Sequence, residues 1–295
     1  MYFATIIKNG VDKVIIINEE KTKYCYLMDI LDSDVVNLSS FIKSHSDKDI
    51  SLIKNYLVNG HLYDFNESDF VFNAPIPYPI RNAFCLGKNY LDHLNEIKML
   101  DGAKDGVLHD PIYFSKLAYP AIGTNSKVSS FSYLTKELDY ETELTVVIGK
   151  TGRDIKKEEA RDYIFGYTIC NDFSVRDFQK KHSQWHKGKS FDGHLTMGPY
   201  IAYNDIIDYP PKLDIATYVN GEERQSANTD LFLFDLDYII SDLSKGLTLY
   251  AGDIILTGTC KGVGLGYNPP KYLKVGDEVI SYIEKIGELK STIVD

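Results

Sequence analysis

The chain has 295 residues, 44% of them hydrophobic and 25% charged, which is enough to bury a sizeable core and excludes a disordered or low-complexity polymer. Its net charge of -10 excludes general nucleic-acid binding, which needs basic surface to neutralise phosphates. No stretch approaches the ~20 apolar residues that cross a bilayer, and MYFATIIKNG lacks a basic region followed by a long apolar core.

Four cysteines, Cys25, Cys85, Cys170 and Cys260, stand far apart with no C-x-x-C pair and read as buried thiols. A cytoplasmic protein with neither membrane nor nucleic acid as a partner is expected.

Residues 1–75 read as a small N-terminal α/β domain. FATIIK and VIIINEE are strands on either side of Asn9-Gly10, and residues 33–57 carry a loose helical pattern through Val35, Leu38, Phe41 and Ile42. Prolines at 75, 77 and 79 suit neither a helix nor a central strand, so NAPIPYPIRN reads as a linker into a second domain over residues 76–295.

AFCLGKNYLDHLNEIKML then reads as a short buried strand, a glycine turn and a helix. His93 and Glu96 are three apart and therefore neighbours on that helix. A carboxylate beside an imidazole prepares a general base, and a surface ion pair explains the same spacing. The polar, glycine-containing DGAKDGVLHDP behind them suits a lid over residues 90–108.

LDYETELTVVIG reads as a strand rich in β-branched residues. Side chains two apart share a strand face, so Glu141 and Glu143 point the same way. Either that face is solvated, or one of two carboxylates that otherwise repel is protonated, or a cation sits between them. After a helix-like IKKEEARDYIF, GYTICNDFSVRD is a second apolar run ending in Asn171-Asp172. Three carboxylates suit Mg²⁺, Mn²⁺ or Ca²⁺ rather than zinc.

The segment beyond is dense in anion-binding groups: Arg176, Gln179, Lys187 and Lys189. His182, His186 and His194 have no regular ligand spacing and read as surface residues or neighbours of the ligands. LDIATYVNGEERQSA is a hairpin around Asn220-Gly221, LDYIISDLSKG a helix, and GDIILTGTCKGVGLG a strand ending in a glycine-rich loop with Thr257 and Thr259. That loop lacks the G-x-x-x-x-G-K-[ST] of a P-loop. Further strands follow, so the fold class is α+β, mainly β, with mixed sheets.

CLGKNYLDHLNE, LDYETELTVVIGKTGRDI, GYTICNDFSVRD, GKSFDGHLTMGP, VNGEERQ and GDIILTGTCKGVG, in this order, resemble the fumarylacetoacetate hydrolase family over about residues 82 to 292. The resemblance implies a mixed β-sheet roll catalytic domain, a homodimer, and the small N-terminal domain of the longer members. It implies metal ligands at Glu141, Glu143 and Asp172, a dyad at His93 and Glu96, a catalytic Lys189, and substrate contacts at Gln179 and Thr259; Arg176 joins these as an anion-binding side chain. Cys260 stands where similar members have proline.

The chemistry expected is that of small 2-oxo acids passing through an enolate stabilised by Mg²⁺ or Mn²⁺. C–C hydrolysis of an acylpyruvate or decarboxylation of oxaloacetate is expected first. A 2-oxo acid tautomerase or isomerase is the alternative, and a regulatory protein that kept the fold is a third reading.

Overall fold

A computed structural model describes residues 1–31, 37–101 and 108–295, without the side chains of 97–101. The architecture is α+β and mainly β. One long sheet runs in the order Tyr63–Asp64, Lys23–Tyr26, Val11–Ile17, Tyr2–Lys8, Leu195–Tyr203, Ile164–Asp172, Thr142–Ile148, Ile254–Leu256, Ala83–Gly87, Ile112–Lys116, with Val71–Phe72 also pairing Tyr2–Lys8. All of these pairs are antiparallel except that of Ile254–Leu256 with Ala83–Gly87.

Alternation along each strand divides the core between the two faces of this sheet. Tyr2, Ala4 and Ile6 enter one apolar cluster and Phe3 the other; Leu144, Val146 and Ile148 join the first and Val147 the second. Thr142–Ile148 and Ile164–Asp172 are buried along their whole length. Coverage on both faces is why these strands read as nearly continuous apolar runs.

A second sheet, in the order Glu222–Asn228, Asp214–Val219, Glu278–Ile283, Gly287–Val294, Ser126–Ser129, packs against the back of the central strands. Its hairpin turns at Asn220-Gly221, where φ is 52° and 80°, and Asn9-Gly10 turns the first hairpin with φ of 54° and 73°. Both pairs use the left-handed region that tight hairpins demand and Asn-Gly tolerates. Ser46 caps the helix Asp47–Asn59, with Asp49 returning the bond. Among the described residues no helix is long and apolar enough to cross a membrane.

Several local expectations change. LDYETELTVVIG is not one strand: Leu138–Asp139 pairs with Ser174–Val175, the Asp139 carboxylate accepts from the Tyr140 N–H at 2.9 Å, and the long strand resumes at Thr142. Lys157–Tyr163 is a 3₁₀ helix. The proline segment is packed, not a solvated tether. Ala74 to Pro77 are buried, Thr5 Oγ1 donates to the Pro75 carbonyl at 2.8 Å, and the Ala121 N–H donates to Pro77 at 2.9 Å.

The division at residue 75 is therefore no break in the sheet, because Tyr2 and Phe3 pair with Ala202 and Ile201. The 1–75 segment extends the long sheet and shares its core. Val35 lies outside the described residues, while Leu38, Phe41 and Ile42 line the buried side of the helix Leu38–Ser44.

Candidate active site

The carboxylates meet through strand register. Thr142 pairs with Asn171, and the Asp172 N–H donates to the Glu141 carbonyl at 2.8 Å, which brings Asp172 alongside Glu141. One oxygen from each of Glu141, Glu143 and Asp172 lies within 4.8 Å of the others, and all three residues are buried. A solvated strand face is thereby excluded.

The three carboxylates are not equivalent. Burial works to raise Glu141, but the Lys189 and Arg176 cations outweigh it and hold this group at about 2. Glu143 is pushed well above the usual carboxylate range by burial and by the charges of Asp172 and Glu141. Glu143 Oε2 accepts the Gly258 N–H at 2.6 Å, whereas its Oε1 is buried with no donor among the described residues. A buried oxygen without a partner, beside two further carboxylates, fits a divalent cation, and an all-oxygen donor set fits Mg²⁺ or Mn²⁺.

Three buried cations face this cluster. Lys189 Nζ donates to Glu141 Oε2 at 2.6 Å and to Asp172 Oδ2 at 2.9 Å, and these carboxylates raise its pKa against the opposing effect of burial. Lys116, wholly buried, places Nζ 2.7 Å from Asp172 Oδ1 and donates to the carbonyls of Phe173 (2.9 Å) and Lys189. Sequence reading passed over Lys116. Its signal was a lysine closing the strand IYFSK behind three apolar residues and a serine, where a buried amine must find an anion.

Arg176 differs from its expected role as a substrate contact. Nε donates to Asp139 Oδ2 at 2.8 Å, and Nη1 lies 2.7 Å from Glu141 Oε1 and 3.0 Å from Gln179 Oε1. Most of the guanidinium therefore braces the site; only Nη2 lacks a partner among the described residues. Asp139, also missed, collects the N–H groups of Gly264 (2.6 Å) and Leu265 (3.0 Å) and so ties the glycine-rich loop to Arg176.

His93 Nδ1 lies 3.1 Å from Glu96 Oε2, and Glu96 Oε1 accepts the Gly262 N–H at 3.0 Å. With His93 only 3% exposed, this pair is not a surface ion pair. Thr259 Oγ1 donates to the Thr142 carbonyl at 2.9 Å. A cavity of about 120 Å³ gathers His93, Glu141, Arg176, Gln179, Lys189 and Thr259, walled by Leu86, Phe114, Trp185 and Leu265, with Lys88 and Lys180 also lining it. Glu143 and Asp172 do not line it. A larger surface hollow of about 640 Å³ beside Lys136 and Lys274 holds none of these site residues.

The remaining candidates fall elsewhere. Lys187 is exposed, with its ammonium over the Phe191 ring. His182 is exposed, and His186 Nδ1 bonds to the Ser115 carbonyl at 3.0 Å. His194 is a core residue in an aromatic cage of Phe131, Phe173 and Phe191, its Nε2–H donating to the Ser129 carbonyl at 2.8 Å. All four cysteines are buried free thiols. Of the expected lid, the helix Leu91–Asp101 is described, and residues 102–107 lie outside the described residues.

The chain also has relatives among known proteins. A family model described as fumarylacetoacetate (FAA) hydrolase C-terminal matches residues 82–294. The chain is 44% identical over 229 residues to oxaloacetate tautomerase YisK of Bacillus subtilis (strain 168), covering 78% of this chain and 75% of that one. Among solved structures, the fumarylacetoacetate hydrolase EaFAH of psychrophilic Exiguobacterium antarcticum superimposes with a TM-score of 0.82 at 34% identity, covering 100% of this chain and 99% of that one. The 5-carboxymethyl-2-hydroxymuconate delta-isomerase of Mycobacterium smegmatis gives 0.73 at 28% identity, covering 100% and 98%. With the family model matched over residues 82–294, more than half of the chain, this chain belongs to the fumarylacetoacetate hydrolase family.

Proposed function

We propose that the protein is a divalent-cation-dependent enzyme that interconverts the keto and enol forms of a small 2-oxo dicarboxylic acid of the oxaloacetate type. The observation that carries this reading is the meeting, at one small cavity, of a carboxylate-held imidazole and a cation-braced carboxylate cluster. At about 120 Å³ the cavity is well below the ~300 Å³ of sites that take drug-sized ligands, which favours a substrate of a few carbons. The name of the Bacillus subtilis relative moves tautomerisation ahead of the C–C cleavage that the sequence reading favoured.

Glu141, Glu143 and Asp172 would hold the cation, which when bound supplies Lewis acidity to the 2-oxo oxygen. The chain's own residues do the rest. Glu96 accepts from His93 Nδ1–H and leaves Nε2 as the basic nitrogen. That nitrogen takes a proton from C3 as the C2–C3 double bond forms and water gives a proton to the 2-oxo oxygen; in reverse the nitrogen returns its proton to C3 and the enol O–H proton goes to water. Lys189 has three N–H groups; two engage Glu141 and Asp172, and the third, without an acceptor among the described residues, can stabilise the oxygen where charge develops. Lys88, which has no carboxylate partner among the described residues, is suited to the distal carboxylate. A cytoplasmic homodimer is part of the same proposal.

A second reading, hydrolysis of an acylpyruvate with the dyad activating water, is favoured by the Exiguobacterium antarcticum hydrolase, which aligns over the whole chain. The test follows enol absorbance and pyruvate release together, with oxaloacetate and with acetylpyruvate, in Mg²⁺ or Mn²⁺ and in chelator. Faster enol–keto exchange without pyruvate, lost in chelator, is expected. Pyruvate appearing in step with substrate loss overturns the tautomerase reading.

A further inference from the structure

VNGEERQ has no part in the chemistry above, yet its last residue touches the back of the carboxylate strand. Gln225, on the strand Glu222–Asn228, is 1% exposed and lies outside the cavity. Its Nε2 donates to Thr259 Oγ1 at 2.7 Å and to the Cys260 carbonyl at 2.8 Å. Its Oε1 accepts from the Thr142 N–H at 3.2 Å and from Thr217 Oγ1 at 2.7 Å. Two donors and two acceptors are the full capacity of a side-chain amide.

Thr142 is the residue between Glu141 and Glu143, and its side chain points away from theirs. The protein grips it on every polar atom. Besides the N–H held by Gln225, its carbonyl accepts from Thr259 Oγ1 at 2.9 Å, and its Oγ1 lies 2.6 Å from both Thr217 Oγ1 and Ser281 Oγ. Asn171 continues the network, donating to Ser281 Oγ at 3.1 Å and accepting the Glu141 N–H at 3.0 Å. On the other side, the loop held through Thr259 and Cys260 is the one whose Gly258 N–H reaches Glu143 Oε2.

We infer that Gln225 is a positioning residue: by bridging the second sheet, the glycine-rich loop and Thr142, it fixes the separation of Glu141 and Glu143 and the loop that braces Glu143. This rests on the reading that these carboxylates hold a divalent cation. Outer hydrogen bonds of this kind typically change metal affinity ~10- to 100-fold when removed.

The test is calorimetric titration of Mn²⁺ into the full chain without substrate, for wild type, Gln225→Met and Thr217→Val, each paired with a melting curve. Both substitutions are neutral, so a change in affinity reports geometry and not charge. Gln225→Met is expected to weaken Mn²⁺ binding ~10- to 100-fold well below its melting temperature, and Thr217→Val by less. A merely structural role would lower the melting temperature of both and leave the affinity intact, which overturns the inference. If Gln225→Met does not fold, Thr217→Val decides it: unchanged affinity in that variant overturns it. No Mn²⁺ uptake by wild type would defeat the metal reading, and this inference with it.

Discussion

Replacing Arg176 by methionine tests whether this guanidinium braces the site or recognises substrate. Methionine keeps an unbranched apolar stem and removes the charge that lies 2.8 Å from Asp139 and 2.7 Å from Glu141. Removing one partner of a buried ion pair costs about 3 to 5 kcal/mol, because the remaining charge stays buried. Asp139 keeps three backbone N–H donors and Glu141 keeps Lys189, so the lower end of that range is expected. At ~2.1 cal/mol/K per residue, unfolding 295 residues carries an entropy near ~0.6 kcal/mol/K, and the melting temperature should fall by about 5 °C.

The loss should also depend on pH. Glu141 titrates at about 2 when folded against 4.5 for the free group, partly because of Arg176. A depressed carboxylate contributes stability above its unfolded pKa and loses it as pH falls toward the folded value. The gap between wild type and Arg176→Met should thus be full at neutral pH and shrink below about 4.5. Circular-dichroism melts over that pH range measure it, with steady-state kinetics alongside. An unchanged melting temperature together with a raised KM would refute the bracing role and restore Arg176 as a substrate contact.

His93→Ala should lower turnover by ~10² to 10⁴, the range for loss of a general base. Mn²⁺ affinity should stay near wild type, since His93 is outside the carboxylate cluster; equal loss of both would recast it as a residue that shapes the cation site. His194, depressed to about 3 by burial in its aromatic cage, has its Nε2–H on the Ser129 carbonyl and, among the described residues, no partner for a proton at Nδ1. The unfolded chain, near 6.5, binds that proton more readily, so His194 makes stability fall with pH between about 6.5 and 3. His194→Phe should flatten that decline in urea denaturation, and an identical acid limb would count against this account.

Much of the site was legible in single elements. The run of β-branched residues up to Ile148 dictated a strand, and a period of two, carried one residue past its start at Thr142, put Glu141 on the side of Glu143. A spacing of three made His93 and Glu96 helix neighbours, and the two Asn-Gly pairs marked hairpins because few other residues accept those turns. These are local properties, set by backbone geometry within a few residues.

What only the tertiary structure decided is how separate elements meet. Asp172 reaches Glu141 through the register of two strands, Lys116 reaches Asp172 from the far edge of the sheet, and Gln225 grips Thr142 from a different sheet. The proline segment gave a linker signal locally, yet strand pairing at Tyr2 and Phe3 carries the sheet across it. Arg176 appeared as a free cation because its partners, Asp139 and Glu141, are more than thirty residues away along the chain. Periodicity settles which side chains share a face; which charges neutralise one another depends on packing between distant segments, where burial compels each ion to find a partner.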